Sequence, residues 1–318
     1  MKRIVEAEFT LNRSTQDAWH AYRNHRKKVT DMVTGALRST PMRRLCVLGA
    51  GNLNDLTLNN VFQRFDAIHL VDLDFQAVQK GVLRQLPGGA FPTRVNVHAP
   101  IDISGILQCV AELGDGGHVS KQKVKKCQSD LASNWLVRPD GRPRLLEQFP
   151  AALALTQAAP FDVVASAGML SRLVHHTRID LNPAWLPIRL LVESHLDLML
   201  SLVAPSGKCV VIVDVAQTDN EEGLEMQLEI DGWLKSKIAA RQVESVRQSE
   251  CWEWQIRPRE TRLCHAITFE NSKRTYSTWA QFPEKIRNIL TRASLFLGLL
   301  FWFGSSILPR LPFFAVVQ

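Results

Sequence analysis

Residues 45–52 read Leu-Cys-Val-Leu-Gly-Ala-Gly-Asn, an apolar run that passes directly into a turn with two glycines. A short apolar run of this kind is typical of a buried strand. Glycines at the end of such a strand let the backbone bend tightly and approach a ligand where a Cβ atom would clash. The stretch therefore predicts a strand, a turn able to bind a ligand, and a helix. Because many strand–helix turns contain a Gly-x-Gly, the motif requires support from elsewhere in the chain.

A second apolar run supplies that support. Residues 67–71 end at Asp72, 21 positions after Gly51. A carboxylate at the end of the second strand can accept hydrogen bonds from both ribose hydroxyls of a bound nucleoside. Asp74 has a plainer role, as the N-cap of a helix that begins at Phe75. The glycines and Asp72 together predict a nucleoside site at the carboxyl ends of two parallel strands.

Two kinds of nucleoside cofactor use this pair of elements. A nicotinamide dinucleotide requires a third glycine three residues after the second, for helix–strand packing and room for the pyrophosphate. Asn54 stands at that position. A bound pyrophosphate would gain little stabilisation beside Asp55, the next residue, because both groups are negatively charged. A sulfonium nucleoside carries no phosphate and tolerates both residues, so the residues favour it.

Short apolar runs alternate with helical stretches along the rest of the chain, which indicates βαβ units. The predicted strands are 44–48, 67–71, 93–97, 161–166 and 208–214, and the predicted helices include 9–38, 188–202 and 221–240. Residues 251–257 and 261–268 read as two further strands joined by a short turn. The predicted fold class is therefore a doubly wound, Rossmann-like α/β sheet. It is mostly parallel and ends in an antiparallel hairpin.

The chain divides into three predicted segments. Residues 1–40 form an N-terminal helical segment, 41–275 the main domain with an insertion or lid at 114–160, and 276–318 a basic and apolar tail. Within the tail, residues 293–308 carry no charge. These sixteen residues are fewer than the roughly 20 needed to cross a bilayer. An interfacial anchor, a core or oligomer helix and a tail anchor all remain open.

From residue 45 to about 270 the chain resembles the class I S-adenosyl-L-methionine (SAM)-dependent methyltransferases. The matching segments, in chain order, are 45–51 for the glycine-rich first motif, 70–74 for the acidic second, 98–102 for the third-strand acid, 161–170 for the fourth-strand motif and 195–208 for the helix and Pro-x-Gly turn before the fifth strand. The closing hairpin is similar to the family's antiparallel last strand. The resemblance implies SAM as cofactor, held by Gly49, Ala50, Gly51, Asn52, Asp72, Leu73, Asp102, Ser166, Ala167 and Gly168.

Two positions depart from the family's pattern. Val47 stands where the family often has an acid that touches the methionine amino group. Leu53 stands where it often has a third glycine. Both departures concern the binding of the methionine moiety. A degenerate domain that kept the fold as a binding or scaffold protein therefore remains an alternative to an active enzyme.

Catalytic candidates follow the predicted fourth strand. Methyl transfer is an in-line displacement that depends largely on alignment, and a general base helps where the acceptor is a hydroxyl or amine. The candidates are Ser171, Arg172, His175 and His176. A histidine near its ordinary pKa could act as the base, and Arg172 could hold a carboxylate or phosphate of the acceptor. The alternative is that these are polar residues on a helix surface.

Net charge, cysteine spacing and the absence of one motif indicate which partners and which cellular compartment to expect. The net charge of +7 permits contact with phosphate or an anionic membrane without requiring it. The six cysteines show no metal-ligand spacing, so we expect reduced thiols, no metal site and a cytoplasmic protein, either free or peripheral to the inner face of the membrane through 293–308. No Asn-Pro-Pro-aromatic motif follows the fourth strand. We therefore expect a small-molecule or lipid-like acceptor and no nucleic acid; the oligomeric state stays open.

Overall fold

A single seven-stranded sheet organises the part of the chain that can be described. The computed structural model describes residues 2–37, 43–86, 91–104, 121–132, 149–180, 188–216, 220–257 and 260–272. The strands are β1 (Arg44–Leu48), β2 (Ala67–Val71), β3 (Val95–His98), β4 (Phe161–Ala167), β5 (Val203–Ala216), β6 (Val243–Arg257) and β7 (Glu260–Asn271). All of these residues fall within one compact unit, Met1–Thr275.

Helices cover both faces of the sheet. Those described are α1 (Lys2–Ser14), α2 (Arg23–Ala36), α3 (Leu58–Phe62), α4 (Phe75–Gln85), α5 (Lys121–Ala132), α6 (Phe149–Ala158), α7 (Met169–Asp180), α8 (Ile188–Leu202) and α9 (Asn220–Ala239). One apolar core lies between the sheet and α2 to α4, and the other between the sheet and α6 to α9. Along β1, Cys46 and Leu48 face one core and Leu45 and Val47 the other, as expected for a central parallel strand.

The strand order is β3-β2-β1-β4-β5-β7-β6. Strands β1 to β5 are parallel, while β7 runs antiparallel between β5 and β6. The predicted fold class, mostly parallel with an antiparallel C-terminal hairpin, is confirmed. The order reverses between β1 and β4, and in open α/β sheets ligands bind in the crevice outside the carboxyl ends of the strands at such a point.

Strand register brings the predicted site residues to one edge. Leu48 is paired with Val71 on β2 and with Ser166 on β4. The residues that follow these positions, Gly49 and Asp72, therefore leave the sheet at the same level as Ala167. Both β1 and β2 begin and end at the predicted residues. The glycine turn ends the apolar run of β1, and Asp66 and Asp72 bound that of β2.

The N-terminal region differs from the sequence prediction. A single helix over 9–38 was expected from the spacing of apolar residues, but α1 ends at Ser14 and α2 begins at Arg23. Carbonyl groups in the intervening turn bind other partners: the carbonyl of Thr15 accepts from Asn54 Nδ2, and that of Trp19 from Arg26 Nη1. Tertiary contacts thus replace helical hydrogen bonds where the apolar spacing alone favours a continuous helix.

Several predictions fall partly or wholly outside the described residues. Of the insertion or lid at 114–160, only α5 and α6 are described, and the tail 276–318, with its uncharged stretch 293–308, lies outside them entirely. The three-segment division of the chain therefore stays a prediction. Among the helices that can be described, none has the length and apolar character needed to cross a membrane.

The cysteines correct one expectation. Cys46, Cys209, Cys251 and Cys264 are free thiols, whereas Cys127 is disulfide-bonded. The prediction of reduced thiols throughout is therefore wrong. It rested on the absence of close Cys–Cys spacing, and spacing along the chain does not report which cysteines the fold brings together.

Buried histidines predict a loss of stability in mild acid. Burial lowers the pKa of His195 to about 4, so the folded protein holds this side chain neutral, 2.8 Å from Ser166 Oγ. The unfolded chain, with an ordinary histidine pKa, takes up a proton first as the pH falls. The stabilisation is present above pH 6.5 and is lost between about pH 6.5 and 4, by up to roughly 3 kcal/mol.

Urea unfolding at pH 7.5, 6 and 5 measures this effect. A His195→Gln variant offers Ser166 a hydrogen-bonding group that does not titrate, so its free energy of unfolding should depend less steeply on pH. The buried pair His69 and His98, whose pKa values are both lowered to about 4, supplies the pH dependence that remains. An unchanged slope in His195→Gln would contradict the assignment.

Candidate cofactor site

The glycine turn closes over the carboxyl end of β2. The amides of Gly49 and Ala50 both donate to the carbonyl of Val71, at 2.9 and 3.1 Å. Gly49 (φ +72°) and Gly51 (φ +46°) adopt the left-handed conformation that favours glycine. A Cβ atom at Gly49 would lie 2.9 Å from Met169 Sδ. The two glycines are therefore required by backbone conformation, and the first also by close approach of α7.

Asp72 joins the turn to the second strand. Its Oδ2 accepts from the amide of Gly51 at 2.7 Å and its Oδ1 from the amide of Asp74 at 2.8 Å, and the residue is 7% exposed. Burial raises the pKa of Asp72, against these hydrogen bonds and the charge of Arg172, which lower it. Each oxygen keeps a second lone pair that could accept from a ribose hydroxyl. Asp74 caps α4 by accepting from Ala77, as predicted.

The segment after the turn departs from the expected strand–turn–helix. The next helix, α3, begins only at Leu58 and is five residues long. Leu53, at the position of the missing third glycine, is buried and has φ +54°. A dinucleotide fold places a helix N-terminus directly at the glycine turn to receive the pyrophosphate. Here an irregular segment stands between the turn and the helix, so no helix dipole points at the turn from this side.

The N-terminal segment covers this irregular segment, a contact that the sequence did not reveal. Asn52 Nδ2 donates to the carbonyl of Asn12 at 2.5 Å, and Arg84 donates to the carbonyl of Asn52 at 2.6 Å. The guanidinium carbons of Arg26 and Arg84 lie 3.3 and 4.9 Å from the centre of the Trp19 ring. These contacts fix the chain between α1 and α2 against the glycine turn.

The third strand brings Asp102 to the same edge. The amide of Ile101 donates to the carbonyl of Asp72 at 2.9 Å, which sets the two strand ends side by side. Asp102 Oδ1 accepts from the amide and the hydroxyl of Ser104, and Asp102 is 6% exposed. Leu73, between the two acids of the second motif, is half-buried and packs against the apolar core that lies between the sheet and α6 to α9. The structure thus groups Asp72, Leu73 and Asp102 beside the glycine turn.

The candidates at the carboxyl end of β4, Ser166, Ala167 and the following Gly168, differ in what they offer a ligand. Ser166 is fully buried and its hydroxyl meets His195 of α8, so its side chain faces the core and not the strand edge. Ala167 and Gly168 continue to the edge, where the amide of Gly168 donates to the carbonyl of Ile212 and its φ is +66°. At Ser166, only the backbone remains available to a ligand.

The four catalytic candidates lie on α7, but the side chains that are described differ in what they contact. Ser171 Oγ accepts from the amide of Asp214 at 2.8 Å, and Arg172 donates to the carbonyl of Gly49 at 3.3 Å. His175 is exposed further along the helix. His176 lies on the same helix, but its side chain is outside the described residues. The structure therefore brings Arg172 to the glycine turn and Ser171 to Asp214 on β5, while His175 lies exposed further along the helix.

Two acidic residues near the site were missed by the sequence analysis. Asp214, on β5, is 6% exposed and accepts from Arg262 Nη1 at 2.6 Å, while a Cβ atom at Gly168 would lie 3.1 Å from its Oδ1. Its place at the end of the predicted strand 208–214 was a usable signal. Glu8, on α1, pairs with Arg172 at 3.6 Å. No local pattern marks Glu8, because its role depends on how α1 packs.

Aromatic side chains border these charges. Trp254 stacks on His25 with ring centroids 4.0 Å apart, and Tyr22 meets Trp254 edge-on at 4.6 Å. His25 Nε2 in turn lies 3.3 Å from Asp55 Oδ1. Burial raises the pKa of Tyr22, and the charges of Asp55 and Asp214 raise it further. The aromatic cluster therefore adjoins the carboxylates that flank the glycine turn.

No protein-family model and no curated protein matches the sequence. Among solved structures it is similar to an rRNA methylase from Streptococcus thermophilus (10% identity, 76% of this chain and 93% of that chain, TM-score 0.35). It is also similar to an O-methyltransferase family protein from Burkholderia thailandensis (12%, 85% and 60%, 0.40) and to a putative methyltransferase from Streptococcus mutans in complex with S-adenosylhomocysteine (SAH) (11%, 77% and 96%, 0.38).

The chain has the fold of the class I SAM-dependent methyltransferases, as the sequence motifs predicted. The feature that carries this statement is the sheet itself, in which β7 runs antiparallel between β5 and β6. With TM-scores of 0.35, 0.40 and 0.38, the similarity to these solved structures adds no argument of its own. It assigns neither an acceptor nor a catalytic residue.

The expectation that the chain has no nucleic acid partner is wrong. An rRNA methylase is among the matched structures, so the fold gives no ground for excluding such an acceptor. The physical reason is that the missing Asn-Pro-Pro-aromatic motif concerns methylation of amino groups on bases. It says nothing about methylation of other atoms of a nucleic acid.

Proposed function

We propose that the chain is a SAM-dependent methyltransferase whose cofactor lies across the carboxyl ends of β1, β2 and β4. The observation that carries the proposal is the bond from the Gly51 amide to the buried carboxylate of Asp72. It fixes a glycine-rich turn beside an acceptor of ribose hydroxyls. Ala50, Asn52, Leu73 and Asp102 complete the proposed nucleoside site, and the backbone of 166–168 borders the methyl group.

Charge favours a sulfonium over a dinucleotide. The carboxylates whose charges act on Arg172 are those of Glu8, Asp72, Asp55 and Asp214. Anionic surroundings attract a sulfonium cation and repel a pyrophosphate. The helix that follows the glycine turn in the chain, α3, begins only at Leu58, so its N-terminus does not stand at the turn to offset that repulsion, and a nicotinamide cofactor is disfavoured.

The proposed chemistry relies on alignment. Holding the nucleophile, the methyl carbon and the sulfur in line supplies much of the rate enhancement of such a displacement. Ser171 remains a proposed catalytic candidate: its buried oxygen accepts from the amide of Asp214, the acid whose Oδ1 lies close to Gly168. His175 would act as a base only toward an acceptor bound along the exposed side of α7.

Calorimetry with SAH tests the cofactor. We expect SAH to bind with a dissociation constant in the micromolar range and NAD⁺ to give no heat of binding. Lys27→Ala, which removes an exposed ion pair with Asp31 on α2, should bind SAH as the original chain does. Failure of SAH to bind at millimolar concentration would end the proposal, and binding of NAD⁺ alone would replace it with a nicotinamide enzyme.

Transfer of a labelled methyl group tests the acceptor. Label from SAM is followed into a small-molecule extract, a lipid extract and total RNA. We propose that a small-molecule or lipid-like fraction is labelled, and label in RNA would assign a nucleic acid acceptor instead. SAH binding without transfer to any fraction would support the binding or scaffold alternative.

A further inference from the structure

A loosely closed ion pair lies beside the glycine turn. Arg172 Nη1 is 3.6 Å from Glu8 Oε2, and the two side chains are 19% and 13% exposed. The same guanidinium donates to the carbonyls of Gly49 at 3.3 Å and Gly168 at 3.4 Å. Charge-assisted hydrogen bonds are usually about 2.7–2.9 Å long. All three contacts exceed that length, so a ligand with better geometry can compete for the guanidinium.

We infer, on the basis of the proposed function, that Glu8 and Arg172 bind the amino acid end of SAM. The carboxylate of the ligand accepts hydrogen bonds from the guanidinium of Arg172, and the ammonium group of the ligand donates to the carboxylate of Glu8. A zwitterion matches a cation–anion pair because each ligand charge meets its opposite. The partial burial of both protein side chains strengthens these contacts relative to exposed ion pairs.

The position of Arg172 agrees with this assignment. Its carbonyl partners belong to the turns that follow β1 and β4, and those turns flank the point where the strand order reverses. Burial lowers the pKa of Arg172, but the carboxylates of Glu8 and Asp72 outweigh this effect and raise it. Arg172 therefore stays charged beside the nucleoside site. This assigns to the cofactor a residue that the sequence analysis had assigned to an acceptor.

The inference also accounts for Val47. Its side chain is 4% exposed and belongs to the apolar core beneath α2 to α4. A carboxylate there would face apolar side chains and not the ligand, so the ammonium group requires an acid from another element. Glu8 is that acid, because Asn12, one turn further along α1, is fixed to the glycine turn through Asn52.

Three ligands separate the parts of this inference. SAH carries the complete amino acid, decarboxylated SAH carries only its ammonium group, and 5′-methylthioadenosine carries neither. Arg172→Gln should weaken SAH by about 10- to 100-fold and leave the other two ligands unchanged. Glu8→Gln should weaken SAH and decarboxylated SAH but leave 5′-methylthioadenosine unchanged.

Matched controls and alternative outcomes complete the experiment. Glu6→Gln changes an exposed residue on the same helix as Glu8, and Arg189→Gln removes an exposed pair with Glu193 on α8; both should bind all three ligands normally. Equal weakening of all three ligands, or none, would overturn the inference. If Arg172→Gln unfolds, Arg172→Lys and Glu8→Asp carry the same comparison. Failure of the original chain to bind any ligand would instead refute the proposed function.

Discussion

Asp72→Asn should weaken SAH binding at least 100-fold and lower the free energy of unfolding by about 1–3 kcal/mol. Both carboxylate oxygens accept from backbone amides, those of Gly51 and Asp74. An asparagine offers one acceptor and one NH₂ group, so one amide must face a donor in a buried place. The ribose also loses a carboxylate acceptor. The substitution therefore damages the turn and the ligand contact together.

Asp74→Asn is the matched control for this experiment. Asp74 lies two residues away and caps α4 through Ala77, and asparagine is as good an N-cap as aspartate. Its SAH affinity should stay within about threefold of the original value. Calorimetry measures affinity and urea unfolding measures stability. An Asp72→Asn protein that binds SAH as tightly as Asp74→Asn would show that the carboxylate of Asp72 is not part of the cofactor site.

How well the sequence predicts a structural feature depends on whether that feature is formed by neighbouring residues or by contacts between distant parts of the chain. The bounds of β1 and β2 were predicted to the residue. A buried parallel strand is a short run of consecutive apolar residues, which can be recognised in the sequence. The proximity of Gly51 and Asp72 was also predicted, since parallel strands present their carboxyl ends at one edge. Both predictions rest on the regular geometry of a parallel sheet. The order of strands and helices along the sequence is enough to specify that geometry.

The N-terminal segment could not be predicted in the same way. Its apolar residues keep helical spacing through the turn between α1 and α2, so periodicity gave one helix where there are two. The break follows from hydrogen bonds between Thr15 and Asn54 and between Asn12 and Asn52. Such contacts between distant parts of the chain depend on packing, which no short motif records. Glu8 was missed for the same reason, although it stands beside Arg172.

Gly81→Ala should destabilise the protein by about 3 kcal/mol and weaken SAH binding at least tenfold. A Cβ atom on Gly81 would lie 2.4 Å from the carbonyl oxygen of Asn52 and 2.7 Å from its carbon. These are backbone atoms of the segment that follows Gly51, and they cannot rotate away. The helix α4 must therefore move off the glycine turn, or the turn must shift, and either movement displaces the proposed nucleoside site.

Gly35→Ala is the matched substitution with the opposite expected sign. Gly35 is exposed within α2, and a Cβ atom there would meet nothing within 4 Å. Alanine should raise the free energy of unfolding by about 0.5–1 kcal/mol, since it restricts the unfolded chain and suits a helix interior. Urea unfolding of both variants gives the two signs in one experiment. If Gly81→Ala proved neutral while Gly35→Ala stabilised the protein, close packing of α4 on the glycine turn would be refuted, because the same change would then be tolerated at both positions.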